Sequence, residues 1–179
     1  MYILNSGLKR WVAFLALAIL AAFPPVSQAK TYEAIGIRAL DGDSILVRFP
    51  NGLKEEVRLL SVDCPEHGQA LWDQARKFTH WKVAGKDLTL ECGPEERDQY
   101  NRLLAFIHVH EGHLNMELVE KGLAVVFVIP PNTDLIDSLL MAQARAHARK
   151  KGIWGPGGPR LEPRSHRYRK QTQKKGKPR

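Results

Sequence analysis

Hydrophobic and polar positions alternate with a period of two through the first part of the middle of this chain. In "EAIGIRAL" (33–40) Ile35, Ile37 and Ala39 share a face, and in "SILVRF" (44–49) Ile45, Val47 and Phe49 do. "PNG" at 50–52 supplies a turn, and "EEVRLLSV" (55–62) is a third run rich in β-formers. These segments predict a three-strand meander. The period then changes. Over "GQALWDQARKFTHWKVAG" (68–85), Leu71, Ala75, Phe78 and Lys82 fall on one helical stripe, and Gly85 can end the helix. "KDLTLE" (86–91) predicts a fourth strand. "RLLAFIHVH" (102–110) predicts a fifth, with Leu103, Ala105, Ile107 and Val109 inward. "NMELVEKG" predicts a short helix with Asn115 as N-cap and Gly122 after its end. "LAVVFVI" is a short apolar extended segment, and residues 133–152 form a long terminal helix closed by Gly152. Five strands with a helix between the third and fourth predict an α+β fold, a five-stranded OB-type β-barrel packed by three helices.

The two ends change the count of folded residues. Lys9 and Arg10 precede a 13-residue apolar run, "WVAFLALAILAAF" (11–23), and "PPVSQA" places Ser27 and Ala29 at small-residue cleavage positions. Residues 1–29 therefore read as a signal peptide, with the mature chain starting at Lys30. Thirteen apolar residues are short for a span of roughly 20. No stable membrane anchor is expected after cleavage, and the protein is expected to be secreted or periplasmic, where disulfides persist. At the other end, residues 160–179 carry nine Lys or Arg and one Glu, a charge of +8. Rich in Pro, Gly and Lys and without apolar periodicity, residues 156–179 are expected to be a basic disordered tail. Once the leader's two cations and the tail's nine are set aside, residues 30–159 hold 16 basic and 18 acidic side chains, net −2. Residues 30–155 are thus one domain of sufficient size for its own core.

Chemistry concentrates in two strings. "LDGDS" (40–44) and "VRLLSVDCPE" (57–66) place Asp43, Asp63, Glu66 and Arg58 within 24 residues, and Arg102 follows in "DQYNRLLAFI". Carboxylates with nearby water suit a hard cation. Arginine forks match phosphate oxygens. A cation, an ionised carboxylate and two arginines are the parts needed to hydrolyse a phosphodiester.

Each element also has a plainer reading. Asp41-Gly42 is a hairpin signal. Asp63 could cap a helix, with Pro65 in its first turn and Glu66 three residues on. The arginines could be solvated strand residues. Arg58 and Asp63 are five apart, so a flat strand would put them on opposite faces. Both reach one site only if the strand bends strongly or Asp63 lies past its end. His108, His110 and His113 admit a zinc site without an evident fourth ligand. Cys64 and Cys92 admit a disulfide. Tyr100 and Phe127 could stack on bases or belong to the core.

Taken together, the middle of the chain resembles the staphylococcal nuclease (thermonuclease) family. "LDGDS" is similar to that family's "IDGDT", "VRLLSVDCPE" to "FRLLLVDTPE", and "DQYNRLLAF" to "DKYGRGLAY". "MELVEKGLA" and "ARKKGIW" also fit, so the likeness covers roughly residues 33–154. The resemblance implies an OB barrel with three helices. It implies Ca²⁺ on Asp43, Asp63 and the carbonyl of Cys64, with catalytic roles for Arg58, Glu66 and Arg102. The chain departs from the family pattern at Cys64, where the family has threonine. Asn101 stands where the family has glycine, the loop "HGQA" is shorter, and Phe127 and Ile129 stand at a tyrosine pair.

The function expected is an exported, calcium-dependent endonuclease, a monomer acting on DNA, RNA or both with little sequence preference and leaving 3′-phosphate ends. Its substrate contacts would include Tyr100 and Phe127. The rival is a non-catalytic OB-fold nucleic-acid-binding protein of the cell envelope.

Overall fold

The structure, a computed structural model, describes residues 29–110, 112–156 and 158. The expected leader, except Ala29, and the tail from residue 159 onward lie outside the described residues.

Among the described residues, eight strands and three α-helices run in the order β1 (Thr31–Ala39), β2 (Ser44–Arg48), β3 (Lys54–Leu59), β4 (Val62–Asp63), α1 (Trp72–Val83), β5 (Asp87–Arg97), β6 (Leu103–Val109), β7 (Gly112–His113), α2 (Leu114–Glu120), β8 (Val125–Val126) and α3 (Ile136–Ala148). The meander β1–β2–β3 is antiparallel, and β5 pairs with β1 and β6. The parallel pairing of β3 with β6, Val57 opposite Leu103 and Arg58 opposite Leu104, closes the sheet into a five-stranded barrel. A small second sheet joins β4 to β8. The expected barrel with three helices is therefore the architecture found.

Alternation explains the core. Ile45, Val47, Val57, Leu59, Leu88, Leu90, Leu103, Ala105 and Ile107 are all buried. Strand β6 goes beyond alternation, because Leu104 and Phe106 are buried too. Helix α2 packs on β6, so this strand is covered on both sides.

Three local readings are corrected. Helix α1 begins at Trp72 rather than residue 68, after Leu71 in the left-handed region (φ 69°), and its buried residues are Ala75, Thr79 and Val83. Strand β5 continues to Arg97, with a register shift after Cys92. Asn115 is not the N-cap of α2. His113 holds that place and accepts from the Met116 N–H, while Asn115 lies buried inside the helix. The Asn115 carboxamide is committed to tertiary contacts instead: it accepts from Ile107 N–H at 3.0 Å and donates to the Leu60 carbonyl at 2.7 Å.

Candidate active site

The site is built on the loop between β1 and β2, the turn between β3 and β4, and the hairpin end between β5 and β6. The first loop is pressed against α1. A Cβ on Gly42 would lie 2.6 Å from Cys64 Cβ and 2.9 Å from Ala75 Cβ, so only glycine fits there. The buried Thr79 hydroxyl donates to the Gly42 carbonyl at 2.6 Å. The polar group on the buried face of α1 thereby fixes the residue before Asp43.

The second segment settles how Arg58 and Asp63 meet. Ser61 adopts φ 59°, a left-handed step after β3 that resets the side-chain phase before β4. The Arg58 guanidinium then lies 3.1 Å from Asp43 Oδ2 and 3.5 Å from Asp63 Oδ1. It also donates to the carbonyls of Leu59 and Val62, both at 2.8 Å. Asp43 Oδ2 accepts from the Cys64 N–H at 2.8 Å. All three charged groups are buried. Two buried carboxylates face one guanidinium, a balance that a further cation would favour. Oxygen donors fit a hard divalent ion. Among the described residues no three His, Cys, Asp or Glu side chains converge on a common metal position. Asp43 and Asp63 with carbonyl and water oxygens are the donors such an ion would find, and the described His108, His110 and His113 form no zinc cluster.

Glu66 follows β4, half-buried; its N–H donates to Gln69 Oε1 at 2.8 Å while its carbonyl accepts from Gln69 N–H at 2.9 Å. The reciprocal pair pins the Glu66 backbone ahead of α1.

Arg102 is held by two carboxylates. Its Nε and Nη2 both lie 2.7 Å from Asp98 Oδ2, and Nη1 lies 3.3 Å from Glu56 Oε1. Burial works against the Arg102 charge, but the hydrogen bonds it donates to Asp98 and Glu56, with their charges, outweigh it and raise its pKa. Burial likewise opposes the Asp98 charge, and the N–H groups of Arg102 and Tyr100 with the Arg102 side chain outweigh it, so the carboxyl sits below the usual range. Asn101 has φ 64° in this turn. Asparagine tolerates that region, which explains why it can replace the family's glycine.

Arg58, Glu66, Arg102, Tyr100 and Phe127 all line one recess of about 450 Å³, together with Asp98. Phe127 reaches it because β8 pairs with β4 and the Phe127 N–H donates to the Ser61 carbonyl at 2.9 Å. Tyr100 is 70% exposed, with the Arg102 guanidinium 5.6 Å from its ring centre. The expected site residues thus gather in one place, with Asp43 and Asp63 bonded to its buried arginine. Sequence reasoning missed Asp98, Glu56, Thr79 and Asn115, which position the others. Asp98, four residues before Arg102, was the one with a local signal.

The two cysteines form no disulfide; both are free and buried. Burial, then the Asp43 charge, pushes the Cys64 thiol well up, so it is a neutral packing group and not a nucleophile. Burial pushes Cys92 up to about 11.

Residues 56–156 match the family described as staphylococcal nuclease homologue. The chain is 37% identical over 140 residues to Endonuclease YncB of Bacillus subtilis (strain 168), covering 74% of this chain and 66% of that protein, just under two thirds of its length. It is 31% identical over 131 residues to the Thermonuclease of Staphylococcus hyicus, covering 70% of this chain and 76% of that one. Against the Thermonuclease of Staphylococcus intermedius the identity is 33% over 129 residues, with 65% and 73% covered. With its barrel, its three helices and these likenesses in sequence, the chain belongs to the staphylococcal nuclease family.

Proposed function

We propose that this protein is an exported, calcium-dependent nuclease that hydrolyses phosphodiester bonds of DNA, RNA or both with little sequence preference. The observation that carries the reading is the convergence of Arg58, Glu66 and Arg102 on one recess, with Asp43 and Asp63 bonded to its buried arginine. The names of the relatives, thermonuclease and endonuclease, support it.

Asp43, Asp63 and the Cys64 carbonyl would hold the cation, which when bound supplies Lewis-acid polarisation of a phosphate oxygen. Glu66 orients the attacking water and takes its proton. The water oxygen forms the new bond to phosphorus as the bond to the 5′-oxygen breaks, leaving a 3′-phosphate and a 5′-hydroxyl that takes its proton from solvent. Arg58 and Arg102 offset the charge that builds on the five-coordinate phosphorus. Arg102, carried on the exposed hairpin end, serves the leaving oxygen. Tyr100 and Phe127 offer ring faces to the flanking bases, a mode that does not discriminate sequence.

The leader pattern supports export, with cleavage before Lys30. The tail supports a role in affinity, since its +8 accompanies a domain of net −2.

The deciding experiment incubates the protein with plasmid DNA and single-stranded RNA, with calcium or with excess chelator. Cleavage that requires calcium is expected. Binding without cleavage under every cation would favour the non-catalytic OB-fold alternative, and cleavage unchanged by chelator would remove the calcium assignment.

A further inference from the structure

Away from the recess, α1 carries an unusual outer face. Trp81 is 70% exposed, although a large aromatic side chain is normally well buried. Phe78 lies 6.2 Å from it, centre to centre. Two ammonium groups lie by these rings: Lys82 Nζ, which pairs with Glu117 at 2.6 Å, is 5.6 Å from the Trp81 centre, and Lys121 Nζ is 5.2 Å from that of Phe78. None of these four residues lines the catalytic recess.

Lys121 continues this face into a second feature. Gly122 and Gly152 meet back to back, each with a positive φ, and the Ile153 N–H donates to the Gly122 carbonyl at 2.9 Å. The clasp brings the end of α2 against the end of α3. Beside it, Arg145, Arg149 and Lys151 converge on a recess of about 110 Å³ with Glu120 as the carboxylate in its lining. Glu120 pairs with Arg145 at 3.2 Å. Three cations against one carboxylate make an anion-attracting pocket. It lies at the C-terminal end of α3, where the backbone dipole alone would repel anions.

An exposed indole beside a half-buried phenyl ring that packs on the core, with ammonium groups at both and a cationic pocket next to them, is a combination that binds single-stranded nucleic acid: the base stacks and phosphates pair. We propose that this surface, Trp81 and Phe78 through Lys121 to Arg149 and Lys151, is a second binding site for single-stranded nucleic acid. It rests on the nuclease reading for its biological sense, because it would hold the substrate strand beyond the scissile bond. The spacing suits that role. Lys121 and Phe127 are six residues apart, at most about 20 Å of extended chain. A strand covers that distance in about six nucleotides at duplex spacing, and fewer when stretched.

The test uses the full chain and a labelled strand of about 20 deoxythymidines, longer than an OB-fold site of roughly 4–16 nucleotides. Anisotropy is read in excess chelator, so cleavage does not intervene. Trp81→Ala is expected to weaken binding about 5- to 100-fold, the range for a lost stacking contact, with Trp81→Phe restoring most of it. Arg149→Gln with Lys151→Gln is expected to flatten the log–log salt dependence by roughly 0.7 per lost contact. Cleavage of a trinucleotide, too short to reach this face, is expected to be unchanged in all three variants. Unchanged strand affinity in Trp81→Ala would overturn the proposal, as would an equal loss for blunt duplex. Trp81-dependent binding of phosphatidylglycerol vesicles without strand binding would assign the face to a membrane and overturn it too. If no cation supports cleavage by wild-type protein, the nuclease reading falls, while the chelator titration still decides this one.

Discussion

The side-chain amide of Asn115 donates to the carbonyl of Leu60 at 2.7 Å, joining residues 55 apart in sequence. Its carbonyl oxygen accepts from the Ile107 N–H at 3.0 Å. Leu60 stands between Leu59, the last residue of β3, and the left-handed Ser61, so one buried carboxamide bolts the turn that aims Arg58 and Asp63 at each other. Asn115→Ala strands two backbone groups. It should cost about 2–4 kcal/mol of stability, judged from roughly 1–3 kcal/mol per unsatisfied buried group. Urea denaturation measures it, and turnover should fall as well because Arg58 and Asp63 lose their fixed relation.

Gly42→Ala should destabilise by about 1–3 kcal/mol, the usual range for overpacking. The new methyl would press on Cys64 and Ala75 and push the loop that carries Asp43. Calcium affinity, read by titration calorimetry, should drop together with the melting temperature.

Arg58→Lys, Arg102→Lys and Glu66→Gln should each lower turnover by roughly 10²–10³, the scale of a lost charge-stabilising donor. An ammonium cannot reproduce the fork by which Arg58 reaches three carbonyls and two carboxylates. Wild-type rates with normal melting would return these side chains to a structural role.

His113 gives a pH signature. Burial, with His108 beside it, holds its imidazole below the ordinary 6.5. Below about pH 6.5 the unfolded chain takes up a proton that the folded chain refuses, so stability falls as pH falls, and levels off under the depressed value. His113→Asn keeps an acceptor for the Met116 N–H but cannot titrate. The wild-type urea midpoint should fall relative to the variant's between pH 8 and 5; parallel curves would rule the effect out.

Deleting residues 160–179 should raise KM and flatten the salt dependence of binding, with turnover at saturation unchanged. Equal KM values and equal salt slopes for full-length and shortened protein would end the proposed role of the tail.

Much of this was legible before any coordinates. The period-two runs gave five barrel strands, and the likeness of the charged motifs to a known family joined their residues into one expected site. What escaped was set by contacts between distant segments. Asparagine is a favoured N-cap, but the Asn115 amide gains more from two buried backbone partners, and His113 took the cap. Leu104 and Phe106 read as an outer face because alternation sees one strand at a time and not the helix laid over it. The obstacle to joining Arg58 and Asp63 was real for a flat strand. It vanished at Ser61, whose left-handed backbone has no clear mark in a residue type that rarely adopts it.

The parallel seam between β3 and β6 has a consequence for the order in which this molecule assembles. Arg58 belongs to the first meander and Arg102 follows about 45 residues later on a separate ribbon, and the two face one recess only through that pairing. Hairpins, being local, form early, while a parallel pairing across so long an interval must wait for loop closure. A half-folded chain can own every strand of the meander and still have no recess. The chemistry is therefore a late property of folding, and its onset after refolding should lag the appearance of β-structure.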